Sequence, residues 1–479
     1  MSTDFKKMIE TVLQEKPEIN AEMVKDLIEE KKKTIGAGYL TDQGALFLVA
    51  ADLGISFENA PKMNSGIKDL YVGAKEIGVT GRVMNIYPTR KFVKKETQEE
   101  IKNRTITIYD NDSAVKIKLW DLITDFPEEK GLKPGDLVKI TRGYVKASLS
   151  GRPLVNLGSS SSIDIIDGSN SDIQDINSVT ISVDDIEQPR ENAVIAGRIS
   201  SNPRISEFTN GRGERSKLLQ LQISNQDQSR TIRVVIWNID ELRLPKVIEI
   251  GAQLKLIGVR VKQGNPQYGN SDFEIHGDEG TAMEFSGNQL ELEAMPLRII
   301  SVGRKTSKGI ISCLAVDRLR KYFILNIDSN LLTSEIRQNS TVECIPSRIF
   351  GNSIILSAED SYIRMIDDDS SFPLATMLES KIKDINSTQD PILTEAIVLQ
   401  TPNETEVNTK STEVVPLAAT MIGDDTGEIR LVGWREQSSE VRKLNVGERI
   451  KVAGATVNSR IGSKQELTLR QYSSVINIS

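Results

Sequence analysis

Residues 115–121 of the chain read VKIKLWD, a run in which apolar and basic side chains alternate up to a tryptophan. Successive side chains of a β-strand point to opposite faces, so the aliphatic residues at 115, 117 and 119 share one face. Lys116, Lys118 and Trp120 share the other face. The run therefore predicts a strand that lines a core with one face and carries an aromatic beside two cations on the other.

The other two tryptophans of the chain end similar runs, IRVVIWN at 232–238 and IRLVGWR at 429–435. Each tryptophan is followed by a glycine and an apolar-basic-apolar triplet, and Gly135, Gly251 and Gly447 lie 15, 14 and 13 residues downstream. The motifs IKDL, VDDI and IKDI each precede a predicted first strand by the same step. Agreement at several landmarks predicts tandem copies of one unit.

A further copy lies between the second and third tryptophans. There FILNID at 323–328 matches VIWNID at 235–240, so Leu325 takes the place of the tryptophan, and Lys321 and Phe323 share its predicted outer face. The step from Leu325 to Asn339 repeats the 14-residue spacing. This copy also lacks a long loop before its strand, and we expect it to be degenerate.

Each copy reads as five short β-branched strands with Asp, Asn and Gly in the turns and a connector between the third and fourth strands. This order is the outline of the OB-fold, a five-stranded Greek-key barrel. The first residues have a helical pattern instead. The sequence predicts a mainly β chain, a tandem array of four OB-folds with a small N-terminal α-helical module. The predicted boundaries are 1–60 for the helical module and 65–167, 180–286, 290–367 (without tryptophan) and 378–479 for the four OB-folds.

The composition, with 38% hydrophobic and 27% charged residues, is that of a globular protein with several modest cores. No apolar run reaches the roughly 20 residues that span a bilayer, and the amino terminus lacks a signal segment, so we expect a cytoplasmic protein. Cys313, Cys344 and His276 are too few for a zinc site, and we predict no metal and no cofactor. His276 reads as a strand-end residue.

The net charge of −7 is segregated along the chain. Residues 82–95 carry five basic side chains and no acid, whereas residues 164–187 carry seven acids and no base. Phosphates respond to the local field of a groove and not to the total charge. The basic segments therefore remain compatible with a nucleic-acid partner.

Two interpretations of the tryptophans are open: they close the barrel ends as core residues, or they stack on bases. Large aromatics are usually mostly buried, but recurrence beside cations on one strand face favours stacking. The predicted binding residues on these strands are Trp120, Lys116, Lys118, Trp237, Arg233, Trp434 and Arg430, with Arg82 and Arg198 on the first strands.

Two loops of the OB-fold flank its ligand groove, and both are basic in this chain. A single basic loop is as easily explained by ordinary solvated surface, but the same two loops are basic in successive copies. The predicted binding residues after the first strands are Arg90, Lys91, Phe92, Lys94, Arg204, Phe208, Arg212, Arg215 and Lys217. Those between the last two strands are Tyr144, Lys146, Arg152, Lys262, Tyr268, Arg460 and Lys464.

These motifs together resemble archaeal replication protein A, a single-stranded DNA-binding family. The resemblance is carried by IKDL and IKDI, by TGRV and AGRI, by DDTGEIRL, and by KLWD, VIWN and VGWR, over about residues 65–479. It implies that Trp120, Trp237 and Trp434 stack on DNA bases, with Tyr268 as the counterpart of a second aromatic. It also implies sequence-tolerant binding of single-stranded DNA in replication, repair and recombination, and hence association with the nucleoid. Many relatives carry a cysteine zinc ribbon in a late domain, whereas the two cysteines of this chain are too few to form one.

Other classes of function fit less well or stay open. The chain has no GxxxxGK[ST] phosphate loop and a single histidine, so we do not expect an enzyme. An OB-fold array that binds RNA, or that chiefly docks proteins, remains an alternative, because the fold does not choose among these ligands. Replication, repair or transcription proteins are candidate partners for the N-terminal helices or the third copy.

Overall fold

The computed structural model describes residues 3–35, 41–55, 66–93, 100–209, 213–264, 272–286, 292–386, 391–408, 414–458 and 465–478. The chain divides into two compact units, residues 1–243 with 251–287 and residues 244–250 with 288–479. Three helices precede four β-sheets along the chain. The prediction of a mainly β protein with a small helical start is therefore confirmed.

The N-terminal module packs three helices, α1 (Thr3–Glu15), α2 (Ala21–Ile35) and α3 (Asp42–Asp52), around an apolar core. The hydroxyl of Thr41 accepts a hydrogen bond from the Gly44 amide at 3.1 Å, which satisfies a free donor where α3 begins. Phe47 of α3 stacks on Tyr71, just before the first barrel, with ring centroids 4.6 Å apart. Part of the apolar surface of the helices is thus covered by contacts within the first unit.

The first sheet is a closed barrel. Its elements are β1 (Ile77–Ile86), β2 (Arg90–Val93), β3 (Glu100–Tyr109), β4 (Ala114–Trp120), α4 (Phe126–Glu129), β5 (Leu137–Ala147), β6 (Pro153–Leu157) and β7 (Ser162–Ile166). The strands run in the order β1-β3-β4-β6-β5, and β5 pairs back with β1. Among these described strands, β4 and β6 form the parallel pair. This closed order is that of the predicted OB-fold.

The second sheet closes in the same way. Its strands are β8 (Thr180–Ser182), β9 (Arg190–Ile199), β10 (Arg204–Thr209), β11 (Arg215–Ser224), β12 (Thr231–Trp237), β14 (Gln253–Gln263), β15 (Phe273–Gly277) and β16 (Ala282–Ser286). The barrel runs β9-β11-β12-β15-β14 and returns to β9. Strands β12 and β15 form the parallel pair.

The first and second barrels pack against each other. The buried side chain of Asn85 donates to the carbonyls of Gly258 at 3.0 Å and Gly280 at 3.1 Å. The hydroxyl of Tyr87 donates to Asp278 at 3.2 Å. Burial, together with Asp278, raises the pKa of this hydroxyl well above its usual range, so it remains a donor. These contacts join the first and second barrels within the first compact unit.

The third sheet keeps the strand order but is open. Its strands are β13 (Val247–Ile248), β17 (Met295–Lys305), β18 (Ile310–Val316), β19 (Tyr322–Asp328), β20 (Thr341–Ile345), β21 (Arg348–Phe350), β22 (Ser353–Leu356) and β23 (Tyr362–Met365). Strand β19 pairs parallel with β22, as in the closed barrels. Within the described ranges no ladder joins β20 to β22, and β22 pairs instead with β21.

The fourth sheet is again a closed barrel. Its elements are β24 (Ile392–Val398), β25 (Asn403–Asn408), β26 (Val414–Gly423), β27 (Glu428–Trp434), α5 (Ser438–Arg442), β28 (Arg449–Asn458), β29 (Glu466–Thr468) and β30 (Ser474–Asn477). Strands β24-β26-β27-β29-β28 close through the pairing of β28 with β24. The parallel pair is β27 with β29.

The register of the third sheet corrects one prediction. Leu325 does not take the place of the tryptophan, because it is fully buried in the core opposite Ile354, as Ile117 lies opposite Val155 in the first barrel. The neighbouring Phe323, also predicted on the outer face, is buried too. Asp328 ends β19 and caps the following 3₁₀ turn, the place that Trp120 has at the end of β4. The match of FILNID to VIWNID was out of register by three residues, and an odd shift moves every side chain to the other face.

Candidate nucleic-acid interface

The solvent face of β4 and β6 carries the first tryptophan. Trp120 is half-buried, and its indole Nε1 donates to Oδ1 of the buried Asn156 at 3.0 Å. The amide nitrogen of Asn156 donates in turn to the Leu154 carbonyl at 3.0 Å. The Nζ of Lys118 lies 5.3 Å from the centre of a Trp120 ring. One edge of the indole is therefore fixed by the barrel, and a cation lies against the ring.

Further aromatic and basic residues lie around this tryptophan. Tyr144 is in register with Asn156 across β5 and β6, and the Nζ of Lys146 lies 5.3 Å from its ring centre. The Nζ of Lys116 lies 5.3 Å from the Tyr87 ring. The structure thus brings together Trp120, Tyr144 and three predicted lysines on one barrel.

The β2 residues have mixed environments. Phe92 is 47% exposed, as a base-contacting aromatic would need to be. Lys91 forms an ion pair with Glu100 at 2.9 Å, and Arg90 forms one with Glu279 of the second barrel. Arg90 therefore also supports the contact between the two barrels.

The second tryptophan is more open. Trp237 is 37% exposed and meets the edge of Phe208, with ring centroids 5.1 Å apart and planes at 85°. Its Nε1 donates to Nδ1 of His276 at 3.3 Å, and Nε2 of His276 lies 3.1 Å from Glu274. Glu274 also pairs with Arg233 at 3.1 Å. Burial lowers the pKa of His276, and Glu274 only partly opposes this shift.

The third tryptophan lies at the equivalent position of the fourth barrel. Trp434 is half-buried at the end of β27, after the parallel pairing with β29. Arg430 lies four residues earlier on the same face of β27 and forms an ion pair with Glu466 at 3.3 Å. Thr468 occupies the register position of Asn156 and His276, and its buried hydroxyl has no hydrogen-bond partner in the described part of the chain.

The second and fourth barrels carry a carboxylate beside the tryptophan strand at a position where the first barrel has none. Glu274 and Glu466 lie directly opposite Arg233 and Arg430 in the parallel pairs, and each forms an ion pair there. The first barrel has Leu154 at this position, opposite Lys116. Within the part of the chain that the structure describes, the first barrel therefore offers cations that are not neutralised at this point.

One of the two predicted arginines on the first strands has a structural role instead. Arg82 is buried, and its guanidinium donates to the carbonyls of Gly135, Gly168 and Ile173 at 2.9–3.0 Å. It therefore fastens the segment between the first two barrels and is not available to a phosphate, so that prediction is wrong. Arg198, at the equivalent place on β9, is half-buried with its Nη1 3.5 Å from the Gly251 carbonyl. A basic run in the sequence does not reveal which of its side chains turn inward.

The remaining predicted residues that the structure describes lie on β10, β11 and β14 and, in the case of Arg152, between β5 and β6. Lys217 pairs with Glu241 at 3.0 Å and is half-buried. The residues that are exposed to solvent are Arg152, Arg204, Arg215 and Lys262. Those that lie outside the described residues are Lys94, Arg212, Tyr268, Arg460 and Lys464.

Sequence reasoning missed the residues that hold or neutralise the predicted ones. Asn156 and His276 bond to indoles 36 and 39 residues away, and Glu274 and Glu466 neutralise arginines on neighbouring strands. Each lies on the short strand that pairs parallel to the tryptophan strand. A strand-pairing assignment could have found them, because register alone brings them together.

Other kinds of site have no support in the described ranges. No group of three or more His, Cys, Asp or Glu side chains there is arranged to hold a metal ion. Cys313 and Cys344 are buried free thiols, and burial raises the pKa of each to about 12. No helix in the described ranges is long and apolar enough to cross a membrane.

No family model matches the chain. Replication factor A of the archaeon Methanothermobacter thermautotrophicus is 25% identical over 248 residues, which are 50% of this chain and 30% of the relative. The chain thus matches less than a third of the length of that curated relative.

Similar solved structures include a replication protein A heterotrimer bound to single-stranded DNA, with a TM-score of 0.35 and 10% identity over 87% of this chain and 96% of that one. The second OB-fold domain of replication protein A from Methanococcus maripaludis has a TM-score of 0.19 and 25% identity, covering 22% of this chain and 98% of that domain. The similarity of this chain to archaeal replication protein A, predicted from its repeated motifs, is therefore confirmed over about half of its length.

Proposed function

We propose that this chain binds single-stranded DNA with little dependence on sequence and so protects and organises it in replication, repair and recombination. The observation that carries the proposal is the recurrence of one position. Trp120, Trp237 and Trp434 each end the strand that pairs parallel with a short strand of a closed barrel, β6, β15 or β29, and each lies on the solvent face with a basic residue nearby.

The geometry suits stacking for a physical reason. The aliphatic residues of the same strands, such as Ile117 and Leu119, are fully buried, so the barrel cores form without the tryptophans. A partly exposed indole offers a flat apolar surface that any base can cover, for roughly 1–3 kcal/mol per base. Lysines and arginines on the same face would follow the phosphates, whose counterions are released on binding.

The third sheet is the exception in this proposal. Asp328 stands where the other sheets carry tryptophan, and a carboxylate there would repel a phosphate backbone. We infer that the third sheet is a degenerate OB-fold that contributes little DNA affinity and serves as a spacer or a docking unit for other proteins. The N-terminal helices are the other candidate docking surface, and association with the nucleoid follows from the proposed ligand.

Tryptophan fluorescence during titration with oligothymidylate tests the proposal, because stacking quenches the indole. We expect quenching by single-stranded DNA, weaker competition by RNA of equal sequence, and affinity that decreases steeply with salt. At about 4–16 nucleotides per barrel, three barrels should cover a few tens of nucleotides. Stronger binding of RNA, or a salt titration without a slope, would contradict the proposal.

A further inference from the structure

The indoles of Trp120 and Trp237 are held from equivalent positions. Asn156 lies opposite Lys118 in the parallel pair of the first barrel, and His276 lies opposite Val235 in that of the second. Each partner is thus in register with the residue two before its tryptophan, and each accepts the indole N–H, at 3.0 Å and 3.3 Å. Two different side chains make the same contact at the same place.

The two acceptors differ in their chemistry. An amide oxygen accepts a hydrogen bond at every ordinary pH, but an imidazole nitrogen accepts only while it carries no proton. The indole N–H faces Nδ1 of His276, and Glu274 faces Nε2, so the ring is the neutral tautomer with its proton on Nε2. A second proton on Nδ1 would put two N–H groups against each other.

The charged groups around His276 come from three strands. Glu274 lies on its own strand, Arg233 on β12, and Lys262 and Arg260 on β14, where Arg260 is in register with His276. Glu274 favours a proton on the ring, whereas the cations and the burial oppose it. The ring is therefore a neutral acceptor near pH 7.

We propose that Asn156 and His276 are positioning residues that hold Trp120 and Trp237 ready for a base, and that acidification releases Trp237 but not Trp120. The fourth barrel differs, because Thr468 stands at this position and its hydroxyl has no hydrogen-bond partner among the described residues. Thr468 therefore does not hold the indole of Trp434. The inference rests on the proposed function for its consequence in DNA binding, whereas the contact itself can be measured without DNA.

The test uses the full chain with ¹⁵N-labelled tryptophan, whose three indole signals are assigned with W120F, W237F and W434F. Between about pH 7.5 and pH 5 we expect the Trp237 signal to shift with a single titration and the Trp120 signal to stay constant. In H276N the Trp237 signal should no longer titrate, because the first barrel shows that an asparagine here reaches the indole. In H276L the signal should move toward that of an indole without an acceptor.

Affinity for oligothymidylate gives the second readout. At pH 7.5 we expect H276L to weaken binding by about twofold to tenfold, and H276N to restore it, since one net hydrogen bond holds the ring. A Trp237 signal that neither titrates nor responds to H276L would overturn the positioning role. If the signal titrates as expected but neither H276L nor Trp237→Ala changes affinity, the contact exists and the proposed stacking is wrong.

Discussion

Replacing Trp120 by alanine separates the stacking interpretation from the alternative that the tryptophans are core residues. The stacked base should be lost, at a cost of roughly 1–3 kcal/mol, which corresponds to about a 5- to 150-fold weaker affinity for single-stranded DNA. The three barrels are expected to engage one strand together, so the loss should appear in the full chain with an oligonucleotide long enough for all of them.

The same substitution should leave the first barrel folded. It removes the hydrogen bond to Asn156 and the contact with Lys118, which together stabilise the barrel by roughly 1–3 kcal/mol. A domain is typically stable by about 5–15 kcal/mol, and Trp120 is not among the residues of the barrel core. We therefore expect a lower melting temperature and a retained unfolding transition.

Binding is measured by the anisotropy of a labelled oligothymidylate at fixed salt, and folding by calorimetry. Ile117→Ala on the same strand is the matched control: this residue is fully buried, and its loss should cost about 2–5 kcal/mol of stability with little change in the affinity of the folded protein. The stacking argument fails if Trp120→Ala abolishes the transition of its barrel, or if it binds DNA as tightly as the parent chain.

Three further predictions concern charge, packing and pH. Glu466→Gln should free Arg430 for a phosphate, so that affinity rises and the slope of log Kd against log salt steepens. The control Glu335→Gln, between β19 and β20 of the third sheet, should change neither. Leu325→Ala should lower the stability of the third sheet by about 2–5 kcal/mol in calorimetry and leave DNA affinity unchanged. A loss of affinity in the folded variant would show that this sheet binds DNA. Burial holds the pKa of His276 below 6.5, so the unfolded chain takes up a proton before the folded chain does as the pH falls. The stability of the second barrel should therefore be complete above about pH 6.5 and decrease below it. In denaturation measured at several pH values, H276N should remove this dependence.

The sequence contains the information that is local along the strands. The alternation around the three tryptophans predicted the core face of each strand, because side-chain direction in a strand changes with every residue. Val235 and Val432 on the opposite face are buried as well, which the alternation did not predict. The spacing of turn residues and glycines predicted the repeated unit and, through it, the strand order of the closed barrels. In the third copy no tryptophan marks the end of the strand, so the match of FILNID to VIWNID assigns to Leu325 the place that Asp328 has in the structure.

Tertiary structure decided which polar partner each side chain meets. Asn156 and His276 reach their indoles, and Glu466 reaches Arg430, only because strands far apart in sequence pair side by side. The basic segment around Arg82 predicts that this residue binds DNA, yet its side chain is buried and its guanidinium donates to three backbone carbonyls. Alternation along one strand thus determined which residues face away from the core. Pairing between distant strands determined which of those residues are free to bind and which are held by a hydrogen bond or neutralised by an ion pair, because no local pattern encodes such contacts.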